Sequence, residues 1–565
     1  MRAGRVEEAG ALAHQIGRDI TRRSKRRLSN IRKTNAKELW RAVRQLTRRE
    51  RDSEADPSIT AATLNQHYAS VSTDVSYERP PPKHTVVNHL HWSHCVSDYQ
   101  VFRYLDTLRP TATGLDKLPA WFLRLAAPVL CAPIADMINL SLLTSTVPTQ
   151  WKQARIRPVP KTSTPKQPAD YRPISVTPVL TRLTERIVVQ RYIYPALSSP
   201  PPALQYSDQF AFRPTGSTTA AIIHLFNTVV NLLLAEPYVI VISMDFSKAF
   251  DTVRHSALLS KLALLDIPDH IYNWLADFFN NHSHCTVFGG ELSALLEVSA
   301  SIIQGSAIGP AAYVVTAGDL NTAVPGNSMC KYADDTYVII PASNEASRQV
   351  ELDNVQRWAK QNNLQLNCSK STEIVFRDSR RRLTVAEPAA LPGIARISCM
   401  KMLGVSIGND LSVSQHVQRL VTSSAQAAYA LRVLRTRGLD DTALHHVYRA
   451  TVVARLTYAA SAWRGFIRAP DLQRINSVID RARRHGYCSA DLPSFEELCE
   501  DADDELFGKV VRFSNHVLHT LLPPPTTASQ NYNLRRRTHS LQLPTHATHL
   551  MDCTFFMRML YKDTY

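Results

Sequence analysis

From Tyr238 to Met244 the chain reads Tyr-Val-Ile-Val-Ile-Ser-Met, a nearly unbroken apolar, β-branched run that ends on Asp245. A run without polar alternation reads as a strand covered on both faces, so the chain needs a sheet with layers packed above and below it. That strand delivers a carboxylate at its end. Farther along, Lys331-Tyr332-Ala333-Asp334-Asp335-Thr336-Tyr337-Val338 puts two adjacent carboxylates at the tip of a hairpin between short β-prone runs. Alone, Asp-Asp in a turn is most often a solvated turn. Joined by Asp245 it reads differently, because a hard divalent cation takes carboxylate oxygens from separate elements and leaves its other positions to water and phosphate. Two such ions about 3.5 to 4 Å apart clamp the attacking and leaving oxygens of an in-line phosphoryl displacement. The first expectation is therefore a polymerase palm with Asp245, Asp334 and Asp335 as its acids.

Other segments stand in a fixed order around these acids. They include Gly114-Leu115-Asp116-Lys117-Leu118-Pro119, then Val147-Pro148 and Trp151-Lys152 leading to Ile156-Arg157-Pro158-Val159-Pro160-Lys161, then Tyr171-Arg172-Pro173-Ile174-Ser175. Gln209-Phe210-Ala211-Phe212-Arg213-Pro214 follows with Ser217-Thr218, the Met244 to Val253 block and Gln304-Gly305-Ser306-Ala307-Ile308-Gly309-Pro310. After the Tyr-Ala-Asp-Asp box come Asn367-Cys368-Ser369-Lys370 and Lys401-Met402-Leu403-Gly404-Val405. In this order, from about Thr111 to Ile407, the chain resembles the reverse transcriptases of non-LTR (LINE-type) retrotransposons.

The resemblance implies roles residue by residue. Asp245, Asp334 and Asp335 would hold two Mg²⁺ ions, with Mn²⁺ as a substitute, and the backbone carbonyl of Phe246 would join the metal shell. Phe250 would be a steric gate, its ring leaving no room for a ribose 2′-hydroxyl; an RNA-dependent RNA polymerase would tend to carry a polar residue there. Lys161 and Arg172 lie in a Pro-rich stretch whose fixed φ angles favour extended strands and a stiff turn. By resemblance this is the fingers hairpin that grips the incoming triphosphate, Arg through forked contacts and Lys as a point charge. Gln304 and Gly305 would support nucleotide and template, Gly305 by letting backbone approach closely. Lys370 resembles the general acid assigned to the pyrophosphate leaving group, a task that requires a lowered pKa. Lys401 to Gly404 resembles the primer-grip hairpin. Asp251, close to Asp245, is expected to stabilise the helix that begins nearby, since an anion near a helix N-terminus is favoured.

Composition agrees with a polyanionic partner. The 565 residues carry a formal charge of +16 and a pI near 9.5, and neutralising phosphates releases counterions. Between Arg18 and Arg51 stand 14 Lys and Arg against Asp19, Glu38 and Glu50. Leu28, Ile31, Leu39, Trp40, Val43 and Leu46 are interleaved there, a pattern of one or two basic helices with an apolar stripe; nucleic-acid contact, a nuclear-import address or a solvated linker all fit it. Nine cysteines include no CxxC pair, which leaves a zinc knuckle unsupported and suggests reduced thiols in an intracellular chain of nucleus and cytoplasm. No signal peptide and no apolar stretch near the roughly 20 residues of a membrane span is read from the sequence.

The fold expected is α+β, a right-hand polymerase of fingers, palm and helical thumb with a basic helical N-terminal extension. Residues 1–96 are assigned to that extension and a polar linker at Pro80 to Pro82, 97–408 to fingers and palm, 409–520 to the thumb, and 521–565 to a tail. Helices are expected at Tyr99 to Leu108, Thr218 to Leu234 and Asn344 to Asn363. The expected function is RNA-directed DNA polymerisation, with an RNA template, a DNA primer or nicked target and dNTPs as partners, and no membrane. No endonuclease-like segment is read ahead of the polymerase boxes, so nicking by a separate endonuclease is expected. A group II intron or bacterial retroelement polymerase is the nearest enzymatic rival. A non-catalytic nucleic-acid-binding relic of a truncated element is the alternative from another class.

Overall fold

The structure, a computed structural model, describes residues 15, 58–78, 80–83, 95–381, 385–526 and 539–562. The basic stretch from Arg18 to Arg51 and the Arg535 to Arg537 run lie outside the described residues.

Helix α1 (Ala61–Val71) starts at Thr60, whose hydroxyl accepts the Thr63 N–H at 3.1 Å in a capping box. It buries Leu64 and Tyr68 against Ile156 and Tyr171. Those two residues belong to strands β1 (Gln153–Pro160) and β2 (Tyr171–Val176), an antiparallel hairpin in which Pro158 faces Pro173. The prolines oppose each other where each lacks an N–H, so neither strips its partner of a donor. Strand β5 (His282–Phe288) pairs parallel to β1 and is flanked by β6 (Glu291–Leu292) and β7 (Leu296–Val298). The chain after α1 is tied to the same body: the Ser72 carbonyl accepts from Ser299 and Ala300 N–H at 3.1 Å, and buried Asp74 pairs with Arg254 at 2.8 Å. The segment 80–83 is pinned too, through Lys83 and Asn273. Residues 58–78 and 80–83 thus pack on the same body as the β1–β2 hairpin.

The palm is a five-stranded sheet in the order β12-β11-β3-β9-β8. Its members are β3 (Val239–Met244), β8 (Ser328–Tyr332), β9 (Asp335–Pro341), β11 (Thr372–Phe376) and β12 (Ala395–Arg396). Side chains alternate across a strand, and here both faces are covered. Ile240, Ile242 and Met244 enter one core, with Val338 and Ile340; Val239 and Val241 enter a second, with Ile339 and Phe376. That is the double burial expected of the Tyr238 to Met244 run.

The second core is roofed by helix α2 (Thr218–Leu232), capped by the Ser217 hydroxyl accepting from Ala220 N–H. Residues 218–235 are long and apolar enough by composition to cross a membrane, which corrects the reading that no stretch approached that length. Here the apolar face packs on the palm through Ile222, Phe226 and Val229. Helix α3 (Arg348–Gln361) covers the other core and follows a short 3₁₀ turn, Ala342–Ser347, that takes the place of the helical start expected at Asn344.

The β13 (Cys399–Met402) and β14 (Val405–Gly408) hairpin turns on Leu403 and Gly404, both at positive φ. It leads into thumb helices α4 (Ser414–Thr436), α5 (Asp441–Tyr448), α6 (Ala469–Arg484) and α7 (Phe495–Arg512). The C-terminal helix α8 (Phe555–Leu560) folds back into this bundle. Its Arg558 donates to Asp503 at 2.6 Å beside the Arg464 bond to the same carboxylate at 2.7 Å, and Asp503 is fully buried. The aromatic close of the sequence is therefore thumb core. All nine cysteines are free thiols.

Candidate active site

Register brings the three acids together. In the β3–β9 ladder Met244 pairs with Thr336, so Asp245 comes beside Asp335. Tyr332 pairs with Asp335 across the hairpin, leaving Ala333 and Asp334 as a two-residue turn with Ala333 at φ 56°. A turn this tight faces the sheet's right-handed twist and needs positive φ, and it puts both carboxylates at the end of the sheet where β3 terminates. Burial and the charge of Asp245 raise the Asp334 pKa. Crowding by protein and then the charges of Asp334 and Asp245 raise that of Asp335 to about 6. Because Asp335 is solvent-exposed, the repulsion from its two neighbouring carboxylates is the stronger cause. Among the described residues no three acidic, imidazole or thiol side chains already stand at metal-ligand spacing. The donor set nevertheless fits a hard divalent cation: all-oxygen, anionic and held on separate strands, with repulsion that a cation would relieve.

The turn is held from behind by residues whose roles the sequence did not disclose. Gln209 accepts through Oε1 from the Ala333 N–H at 3.1 Å and the Ala211 N–H at 3.0 Å. Lys331, with no exposed surface, donates to the carbonyls of Leu320 at 2.7 Å and Ala317 at 3.0 Å and pairs with Asp208 at 3.0 Å. A fully buried ammonium is tolerated only with such complete satisfaction. Beside Asp245, its carbonyl accepts the Asn367 N–H at 2.7 Å and its N–H donates to Ser371 Oγ at 3.2 Å. The turn carrying exposed Lys370 is thereby fastened next to the first acid. Phe246 pairs with Leu366 across a short two-stranded ladder, and its ring rests edge-on against Trp358.

Phe250 is half-buried, stacked on Tyr313 at 4.6 Å between centroids, with Phe212 edge-on at 6.4 Å. Burial and then the charges of Asp334 and Asp335 push the Tyr313 phenol well above its ordinary range. Tyr313 therefore links the Phe250 ring to the carboxylates.

A cationic cluster gathers at the β1–β2 hairpin. Lys161 closes the β1–β2 hairpin, its N–H bonded to the Asp170 carbonyl at 2.7 Å and its ammonium to that of Ala169 at 2.8 Å. Partial burial lowers its pKa, the Asp251 charge opposes this, and the charges of Arg172, Lys248 and Lys370 lower it further. Lys161, Arg172 and Lys370, far apart in sequence, so share one electrostatic field. Lys248 is an addition: it sits at φ 53° in the turn after β4 (Phe246–Ser247), and its lysine in the Met244 to Val253 block was the available signal.

The Gln304 turn is pinned from two sides. Its carbonyl accepts the Ser175 N–H at 2.8 Å. Gly305 has φ +118°, and a Cβ there would lie 2.2 Å from the Ser175 carbonyl oxygen, so only glycine fits. Fully buried Glu185 accepts from Ala307 and Ile308 N–H at 2.5 and 3.0 Å. Gln304 Nε2 donates to Asp251 Oδ1 at 2.8 Å. This corrects the helix-stabilising role expected of Asp251: the helix His255–Leu264 has Arg254 at its N-cap and no side-chain cap.

Residues 159–407 match the reverse transcriptase (RNA-dependent DNA polymerase) family. This segment is similar to the reverse transcriptases of non-LTR retrotransposons. The RNA-directed DNA polymerase from mobile element jockey of Drosophila melanogaster is 27% identical over 338 residues, 57% of this chain and 36% of the relative. The probable RNA-directed DNA polymerase from transposon BS of the same organism is 27% identical over 382 residues, 62% of this chain and 41% of the relative. The chain thus spans less than half the length of these relatives. Apo telomerase from Candida tropicalis aligns over 62% of the chain and 64% of its own, at 13% identity and a TM-score of 0.36.

Proposed function

We propose that this chain is an RNA-directed DNA polymerase that extends a DNA 3′ end on an RNA template. The observation that carries the reading is the convergence of Asp245, Asp334 and Asp335 at the end of one sheet, in a chain that also gathers the cations Lys161, Arg172, Lys248 and Lys370 into one cluster. Carboxylates and cations divided in this way suit a metal-bound triphosphate, negative toward the ions and gripped at its phosphates. Two Mg²⁺ ions held by the three acids and the Phe246 carbonyl would supply activation of the primer hydroxyl and neutralisation of the developing charge. The protein's part is to hold the acids on rigid strands and to fix the sugar against Phe250, whose ring is locked by Tyr313. Lys370, on the turn fastened beside Asp245, would donate a proton to the departing pyrophosphate. The formal charge of +16 supports binding of the template and primer. In this reading the partners are an RNA template, a DNA primer or nicked target and dNTPs, and the reaction belongs to the nucleus and cytoplasm.

The test is primer extension by the full chain with Mg²⁺, an RNA template, a DNA primer and dNTPs. Templated DNA synthesis is expected; no extension, or equal use of ribonucleotides, contradicts the reading. In the same assay Phe250→Val should raise ribonucleotide incorporation by roughly 10-fold or more, in keeping with the loss of a steric block. Unchanged sugar selectivity would remove the gate from Phe250.

A further inference from the structure

We propose that Asp251 is a positioning residue that fixes the amide of Gln304 in the nucleotide pocket, an inference that rests on the polymerase reading above. The two residues are remote in sequence and meet at 2.8 Å, Gln304 Nε2 donating to Asp251 Oδ1. They border a cavity bounded also by Tyr68 of α1, Lys161 and Tyr171 of the hairpin, and Lys248.

The backbones on both sides are already fixed. Ile302 N–H donates to the Phe250 carbonyl at 2.7 Å, Ser301 N–H to that of Val253 at 3.0 Å, and Asp251 N–H to that of Lys248 at 2.8 Å. The Gln304 carbonyl is held by Ser175, and Gly305 is wedged under the Ser175 oxygen. What stays free at Gln304 is the rotation of its side-chain amide. An ionised carboxylate accepts and never donates, so it compels Nε2 to face it and turns Oε1 the other way. Burial raises the carboxylate's pKa to about 6, against the Gln304 amide donor and then the charges of Lys161 and Lys248 in the same cavity, which favour its ionised, acceptor-only form. At neutral pH the amide therefore has one orientation. With Asn at 251 either pole of the Gln304 amide could pair, and a ligand would meet two orientations instead of one.

The test measures equilibrium dTTP binding to the full chain loaded with an RNA template and a dideoxy-terminated DNA primer in Mg²⁺, which requires no turnover. Asp251→Asn should weaken binding by about 10-fold or more, the scale of a hydrogen bond to a charged group. In a Gln304→Ala background the same substitution should change it less than about 2-fold, since coupling between the two positions is what the cycle isolates. Asp251→Glu, which keeps an acceptor-only group, should retain more affinity than Asp251→Asn, and its dependence on Gln304 carries the same comparison if the Asn variant fails to fold. Losses that multiply independently of Gln304, or tighter dTTP binding in Asp251→Asn, overturn the proposal; the second would mean that the carboxylate acts only as a charge opposed to the triphosphate. A chain that binds dTTP with this coupling but does not extend a 3′-hydroxyl primer supports the positioning role and overturns the polymerase reading. A chain that binds no dTTP overturns both.

Discussion

Asp335 is costly to the fold that carries it. Its pKa is raised to about 6 by crowding and by the charges of Asp334 and Asp245, against roughly 3.9 in an unfolded chain. The native state thus binds the proton more tightly than the unfolded state, and stability falls as pH rises from about 4 to about 6. Asp335→Asn should therefore melt higher than the parent above pH 6 without divalent ions, by about 1 kcal/mol once the shift is discounted for solvent exposure, and should match it below pH 4. Adding Mg²⁺ at pH 7.5 should raise the melting temperature of the parent more than that of the variant. Calorimetry at the two pH values reads both effects, and a pH-independent difference would contradict them. The positions of the three acids, at a strand end and a hairpin tip, were legible in the sequence because both are local features. Asp251, Lys248, Gln209 and Tyr313 were not, because their roles arise from partners such as Gln304 and Ala333 that only the folded chain brings near.

The Gln304 turn shows what an element must supply. Ser175 of β2 and Glu185 grip it, and Gly305 passes beneath a carbonyl with no room for a methyl group. Gly305→Ala combines an unfavourable φ with a backbone clash and should cost roughly 2–4 kcal/mol. Urea denaturation would show a lowered midpoint with an unchanged slope, and a midpoint equal to the parent's would contradict the observed packing. The β3 strand was readable because burial on both faces leaves an uninterrupted apolar run, and the α2 helix because its apolar period extends over many residues. Composition alone does not separate a membrane span from a core helix there, since a helix covered by a sheet and a helical bundle is equally apolar. The packing of α1 on the fingers was missed for a related reason: Leu64 and Tyr68 carry no periodic signal strong enough to name Ile156 and Tyr171 as their partners.

At the scale of the molecule, the palm sheet joins two cores, and the C-terminal helix closes the second. Asp503 lies fully buried between Arg464 and Arg558, and removing one partner of a buried charge leaves it undercompensated. Arg558→Ala should lower stability by roughly 3 kcal/mol, seen as a fall in thermal midpoint; an unchanged midpoint would mean that the tail merely rests on the thumb. The tail was opaque in the sequence because its aromatic cluster fits a core or an exposed patch equally well until Phe555 and Phe556 are seen buried. Across all these scales the acids at the end of β3 and at the β8–β9 turn carry the central claim. Single-turnover primer extension by Asp334→Ala, with RNA template, DNA primer, dNTPs and Mg²⁺, tests it most directly. The expected result is loss of extension by at least about 1,000-fold, the scale of removing a group on which charge stabilisation depends, with template and primer binding close to that of the parent. Extension at the parental rate in that variant would contradict the site.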